Sequence, residues 1–261
     1  MKRIAIIIGC TLFASVAATA QVRVSSLVIE KGETYSLGQS DILVADTIIM
    51  KDDSKIVLNK LVRENVIRSK VIIVGNNCSI DGTGINGSEG VKGRDGITPQ
   101  GPCRDGTDGR NGGRGLDGGQ GSHLFLYADE LRVNGKLTIN LTGGNGGNGG
   151  DGGNGGGGGP GTIHCAGGDG GNAGNGGDGG NGGVGGTLEV DCKKCENIRG
   201  LFGRDIIVHY GSGNFGYYGA AGYGGAPGLS PNRKSGKNGL NGVDGVNGKT
   251  SETGTVKFEA N

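Results

Sequence analysis

The chain of 261 residues has no tryptophan, only five phenylalanines and only six tyrosines. So few bulky rings cannot fill a conventional globular core, so the architecture has to bury backbone and small side chains instead. Proline is as scarce, at five. A collagen triple helix, which normally draws on abundant proline, is disfavoured. An excess of charge is missing too: 26 Lys and Arg stand against 25 Asp and Glu. That balance leaves no electrostatic footprint for nucleic acid or an anionic membrane. The three histidines, His123, His164 and His209, are scattered, and no Ser/His/Asp motif gathers around them. A convergent catalytic site is therefore not expected. Asp52 with Asp53, or Asp191 near Lys193, would have to be forced into an acid or base role.

Long apolar runs are also lacking, with one exception at the start. Met1-Lys2-Arg3 leads into an apolar stretch over 4–17, and Ala18-Thr19-Ala20 precedes Gln21. A charged n-region, an apolar h-region and an A-x-A site read as a secretory signal peptide over 1–20. The stretch is shorter than the roughly 20 residues of a spanning helix, so no membrane insertion is expected. Cys10 lies inside the h-region, away from the cleavage point, which speaks against a lipoprotein. Removing Lys2 and Arg3 takes the formal charge from +1 to −1. The predicted location is secreted or cell-surface, meaning the periplasm or outer surface in a bacterium. An oxidising compartment permits disulfides among Cys78, Cys103, Cys165, Cys192 and Cys195, and an odd count leaves at least one thiol free. Cys103 and Cys165 each interrupt a glycine pattern, which places both at turns where they would staple neighbours. Cys192-Lys193-Lys194-Cys195 is one C-x-x-C, too little for a structural zinc; a structural disulfide or buried thiol is the plainer reading.

Glycine is what the chain has in excess. It is sparse before residue 82 and then takes 59 of 180 places. A third of the positions suggests a period of three, and six such runs exist. Run one steps by threes from Gly84 to Gly96, run two from Gly106 to Gly121, and run three from Gly143 to Gly161. Run four goes from Gly168 to Gly186, run five from Gly213 to Gly228, and run six from Gly236 to Gly248. Between and before them lie β-rich stretches over 22–30, 42–50, 55–58, 71–74, 124–128, 131–133, 137–141, 187–190, 205–210 and 254–259. They repeat loosely. Val44-Ala45-Asp46-Thr47-Ile48 matches Leu126-Tyr127-Ala128-Asp129-Glu130-Leu131 with one residue slipped. Val74 to Cys78 and Val190 to Cys195 fall at similar places in their units. Stacked turns of a parallel β-solenoid fit best, against an antiparallel sandwich with long loops. The expected organisation is a β-rich solenoid part over 21–82 and glycine runs interleaved with strands over 83–261.

Four readings compete for the runs. Collagen is weakened by the few prolines, the short runs and the two glycines per triplet of runs three and four. A disordered linker does not require a strict period. A calcium-binding nonapeptide matches at 146–154, but Gly153 stands where its aliphatic core residue belongs, so calcium as a cofactor is weakly supported. A bundle of polyglycine II helices fits best. Such a helix has three residues per turn, rises about 3.1 Å per residue and makes no internal hydrogen bonds. Its peptide groups must pair sideways, which is possible only where no Cβ intervenes. One glycine per triplet makes one contacting edge and two make two, which puts runs three and four in the middle.

The Gly-Gly-Asn and Gly-Gly-Asp triplets resemble the polyglycine-helix proteins, namely glycine-rich antifreeze proteins and phage tail-tip adhesins. Strand units flowing into glycine, as at Leu137-Thr138-Ile139-Asn140-Leu141-Thr142-Gly143-Gly144-Asn145-Gly146-Gly147, are similar to bacterial surface β-helix proteins with glycine-rich loops. Residues 84–121 are collagen-like enough to carry that label. The signal peptide departs from a phage tail protein, which would assemble in the cytoplasm. The resemblance implies an all-β fold, with solenoid units and a polyglycine II bundle and little or no α-helix after the leader.

The remaining triplet positions form polar ladders. They are Asn145, Asn148, Asp151 and Asn154 in run three, then Asp169, Asn172, Asn175, Asp178 and Asn181 in run four, and Asn238, Asn241, Asp244 and Asn247 in run six. Each is either a solvated face or a regular array for a polysaccharide, ice or calcium. Leu240, Val243 and Val246 of run six, with Ile85 and Val91 of run one, make apolar edges expected to dock on the solenoid. Run five gathers Phe215, Tyr217, Tyr218 and Tyr223, with Tyr210 just before, as a stacking platform for sugar rings or a protein, or as a cap on the solenoid end. The expected function is an exported, non-catalytic surface or matrix protein, adhesive or structural, with an extracellular polysaccharide or cell-surface protein as partner. An ice-binding protein and a polysaccharide-active β-helix enzyme are the alternatives.

Overall fold

The computed structural model describes residues 21–195, 198–231 and 234–258. The expected leader over 1–20 lies outside the described residues, as does the end of the strand expected over 254–259. The chain passes back and forth between two sheets. One is made of β1 (Gln21–Ile29), β3 (Ile42–Met50), β5 (Glu64–Val74), β7 (His123–Val133), β9 (Leu188–Cys192) and β11 (Val256–Phe258), side by side in that order. The other is made of β2 (Thr34–Ser36), β4 (Lys55–Val57), β6 (Cys78–Asp81), β8 (Leu137–Asn140) and β10 (Ile206–His209). Every pairing between them is parallel. One helical turn, α1 (Ile198–Leu201), sits between β9 and β10. The fold is thus all-β with parallel sheets.

Strand alternation explains the layering. β5 reads exposed and buried in turn along most of its length, so one face points to solvent and the other inward. Inward residues stack in columns from strand to strand. Leu43, Ile67, Leu126 and Val190 form one column, and Ile56, Ile80, Ile139 and Val208 another. Most of these aliphatic side chains are almost wholly buried. Tight corners join the sheets. Asp53 and Asn77 adopt φ of 61° and 54° at successive corners, and Gly32 adopts 71° at the one before. That left-handed position favours Gly, Asn and Asp.

The register keeps one reading of the sequence and corrects another. With the one-residue slip, Ala45 aligns with Ala128 through Ser69, and Ile48 with Leu131 through Ile72. Val190 belongs to the column of Ile67, not to that of Val74. The loop 193–205 is longer than the earlier corners, so spacing along the chain misleads there. The expected strand at 71–74 starts seven residues earlier, and 124–128 with 131–133 form one strand. β2 and β6 are three and four residues long, too short to show an alternating pattern in the sequence.

The three longest connections all leave from the same corner. They join β6 to β7, β8 to β9 and β10 to β11, and each holds two glycine runs and a turn. The strand register continues into them. β6 and β8 are offset by 59 residues, and so are Asn86 of run one and Asn145 of run three. The offsets of 64, 69 and 68 between later strand pairs recur in runs two and four, three and five, and four and six. The runs are therefore extensions of the two sheets, in two rows. The sheets are held apart by side chains, whereas the rows meet backbone to backbone. The change falls at Gly82. A Cβ there would lie 2.8 Å from Leu58 Cδ1, 2.8 Å from Ser122 Cβ and 2.9 Å from Leu141 Cδ2. Beyond that point the sheets have closed on one another.

Candidate functional site

The site begins with what each peptide N–H finds. In run three, Gly146 donates to Asn214 O of run five at 2.8 Å, and Gly147 donates to Leu116 O of run two at 2.8 Å. The third N–H of the triplet has no glycine opposite. Its acceptor is a side chain: Asn145 N donates to Asn86 Oδ1 at 2.8 Å. Asn145 then does the same for the next run, accepting from Asn214 N at 2.9 Å. All three donors of a central triplet are satisfied in this way, which is what backbone removed from water requires. Runs three and four each bond to four other runs, runs two and five to three, and runs one and six to two.

The polar ladders are thus braces between runs. Asn148, Asp151 and Asn154 accept from the N–H groups of Tyr217, Ala220 and Tyr223, all at 2.9 Å. Asp169, Asn172, Asn175, Asp178 and Asn181 accept from Lys237, Leu240, Val243, Val246 and Lys249. Run two braces run four through Asp105, Asp108, Asn111 and Asp117. They remain largely exposed, but in runs three and four one oxygen of each ladder residue is committed to a neighbouring backbone. In run six the direction is reversed: Asn241, Asp244 and Asn247 point back and accept from Gly224, Ala221 and Tyr218 of run five. The backbone hydrogen bond from Asn181 is the first cause holding the Asp117 carboxyl below its usual range, with Arg114 adding to it.

The aromatic cluster divides. Tyr217 and Tyr223 are 65% and 74% exposed on the outer face of run five, so neither covers the end of the sheets. Phe215 is half-buried and meets the Tyr217 ring edge-on, with centroids 5.6 Å apart. Tyr218 lies on the opposite, run-six side. The end of the core lies elsewhere. Tyr210, Phe202, Ile206, Val208, Val256 and Phe258 line an open groove of about 360 Å³ there. Phe202 and Phe258 pack edge to face, and Arg199 sits 5.5 Å over the Phe258 ring.

The apolar edges do not dock. Leu240, Val243 and Val246 are about 70% exposed, and Ile85 and Val91 are exposed as well. The rows prolong the sheets instead of folding back along them, so residues facing away from a neighbouring run face solvent. Val243 and its neighbours occupy the position that run four braces through the backbone, which sends their side chains outward.

Cys103 is disulfide-bonded to Cys165, joining the turn after run one to the turn after run three. Cys192 is bonded to Cys195, and Cys78 is free and buried in the core. Asp52 and Asp53 serve the corners, accepting from Asn76 N and Asn77 Nδ2 at 2.8 and 2.9 Å. Lys193 pairs with Asp129 at 3.1 Å. His123 lies at the base of the rows, where burial, with Arg63, pushes its pKa down; His164 is in a distal turn and His209 ends β10. They are not brought together. Among the described residues, no three His, Cys, Asp or Glu gather as a metal site.

At the junction of strand and run, Asp81 accepts from Thr83 Oγ1 at 2.6 Å and pairs with Lys55 at 2.7 Å and Lys60 at 3.3 Å. Burial raises this carboxyl, but the hydrogen bonds from Lys55 and Thr83 outweigh it and hold it well below the usual carboxylate range. On the neighbouring strand β8, Asn140 holds Thr142 the same way. The sequence hid the braces made by runs one to four because their partners are 59 to 69 residues away, and those of run six because theirs are 17 to 29 away. A period-three recurrence of Asn and Asp was the one visible signal. Comparison with protein-family models, curated proteins and solved structures finds no match to this chain.

Proposed function

We propose that this chain is a parallel β-solenoid whose last three coils extend into hairpins of polyglycine II helices. It acts as an exported, non-catalytic surface or matrix protein. The observation that carries this is the accounting of peptide groups. In the central runs both glycine N–H groups of a triplet find carbonyls on two different runs, and the third N–H finds a side-chain oxygen wherever Asn, Asp or Thr stands opposite, as for Asn145, Asn154, Asn172 and Asn175. Glycine loses much conformational freedom on ordering, and a chain that only needed slack would have no use for braces at every third residue. The arrangement favours a stiff, flat-faced body that holds outward side chains at fixed spacing. The leader expected over 1–20 supports a location outside the cytoplasm, where a polysaccharide or a cell-surface protein is the available partner.

Circular dichroism with a thermal melt, run on the secreted protein, tests the reading. A polyproline II-like signature lost in one cooperative transition is expected. A coil spectrum without a transition sinks it. Protease shaving of intact cells, with N-terminal sequencing of the released protein, should find it outside and beginning at Gln21.

A further inference from the structure

We propose that the outer face of run five is a binding site for a neutral, linear polysaccharide, laid along the run across Tyr217 and Tyr223. This rests on the rigid-body reading above and names its ligand class. The positions on this face read Tyr217, Ala220, Tyr223 and Ala226, large and small in alternation, and all are exposed. At about 3.1 Å per residue the two rings stand about 19 Å apart on a straight axis. A protein partner would be served by aromatic anchors clustered at one buried centre. Two rings separated by a methyl-floored trough suit a polymer that offers a flat ring at regular intervals instead.

The rings are mounted for this. The N–H of each tyrosine is held by Asn148 or Asn154 at 2.9 Å, and Phe215 steadies the Tyr217 ring. Little ordering is left to be done on binding, which favours affinity. Each brace uses only the amide oxygen, so the NH₂ groups of Asn148 and Asn154 face solvent beside the rings as donors to sugar hydroxyls. Asp151 lies between them, bonded through Oδ1 to Ala220 N, and its second oxygen is an acceptor. The register sets Glu89, Lys92 and Asp95 of run one beside Asn148, Asp151 and Asn154, so with Asp151 the flank of the strip holds three carboxylates against one lysine and repels an acidic polymer. That is why the ligand is a neutral polymer and not an acidic one.

Affinity electrophoresis through gels containing soluble β-glucan, xylan, galactomannan or alginate tests this, followed by calorimetry with oligosaccharides of rising length. Retardation by at least one neutral polymer is expected. Tyr217→Ala and Tyr223→Ala should each weaken binding about tenfold, while Tyr217→Phe and Tyr223→Phe retain it. Affinity should step up once the oligosaccharide spans both rings, and the step should vanish in either alanine variant. Both side chains are exposed, so the variants should melt like the parent. No retardation by any neutral polymer overturns the proposal, as does retardation unchanged in the double alanine variant. Retardation by alginate alone, abolished by salt, also overturns it. A cooperative melt without binding removes this site and leaves the rigid body standing; a parent that does not melt cooperatively removes both.

Discussion

Two glycine-to-alanine changes seven residues apart in run three should act in opposite directions. At Gly150 a new Cβ would overlap the carbonyl of Val91, with Gly90 O only 2.8 Å away. Run one would have to withdraw. That movement strains Gly90 N to Asn148 O, Gly93 N to Asp151 O and Gly113 N to Val91 O, bonds of 2.7, 2.8 and 2.7 Å. At about 1 kcal/mol net for each bond, roughly 3 kcal/mol is lost. Reduced freedom of the unfolded chain returns about 0.4–1 kcal/mol. The net is roughly 2 kcal/mol, a fall in Tm of about 4–8 °C for a chain of this size. At Gly157 a Cβ would meet Thr98 Oγ1 at 3.4 Å and Ala226 O at 3.7 Å, ordinary contacts. Only the unfolded-state term remains, so Gly157→Ala should be neutral or raise Tm by about 1–4 °C. Differential scanning calorimetry of the two variants and the parent decides the matter. A disordered glycine tract would treat both alike, so equal shifts, or a stabilised Gly150→Ala, would refute the lateral packing.

Asn148→Ala should cost about 1 kcal/mol and speed amide exchange at Tyr217, while the Tyr223 amide, held by Asn154, keeps its protection; hydrogen exchange with mass spectrometry reads both. Replacing Cys103 and Cys165 by serine opens a loop closed across 62 residues and should lower stability by about 2–4 kcal/mol, measured by thermal melt. The Asp81 carboxyl is held below its ordinary range in the folded chain. Its contribution is therefore complete above the unfolded value of about 3.9 and is lost as pH falls through the folded one. Acid titration of the melting temperature should show a fall below about pH 4 that is shallower in Asp81→Asn.

The sequence displays local requirements well and distant partners poorly. Two glycines per triplet in runs three and four foretell two backbone contacts, and these runs do lie between the others. The long strand β3 shows in its aliphatic content and keeps its expected limits. What Asn145 does was not legible, since Asn86 and Asn214 lie far off along the chain and an exposed asparagine looks the same whether it braces a backbone or meets water. Leu240, Val243 and Val246 misled for a related reason. An apolar repeat implies a covering surface only if the chain folds back to supply one, and nothing local says that the runs prolong the sheets.

Runs five and six close the row by breaking the rule that opened it. Where run three offers a second glycine to the next parallel run, run five has Phe215, Tyr218 and Ala221, and run six has Asn241, Asp244 and Asn247 turned back toward run five. A further hairpin could be gained by copying the middle hairpin with its two flanking strands, between the second hairpin and the third. Added at the far end, it would find those side chains in its way. Such a molecule lengthens by insertion, and its outermost hairpin, with the tyrosines it carries, stays outermost however many copies accumulate behind it.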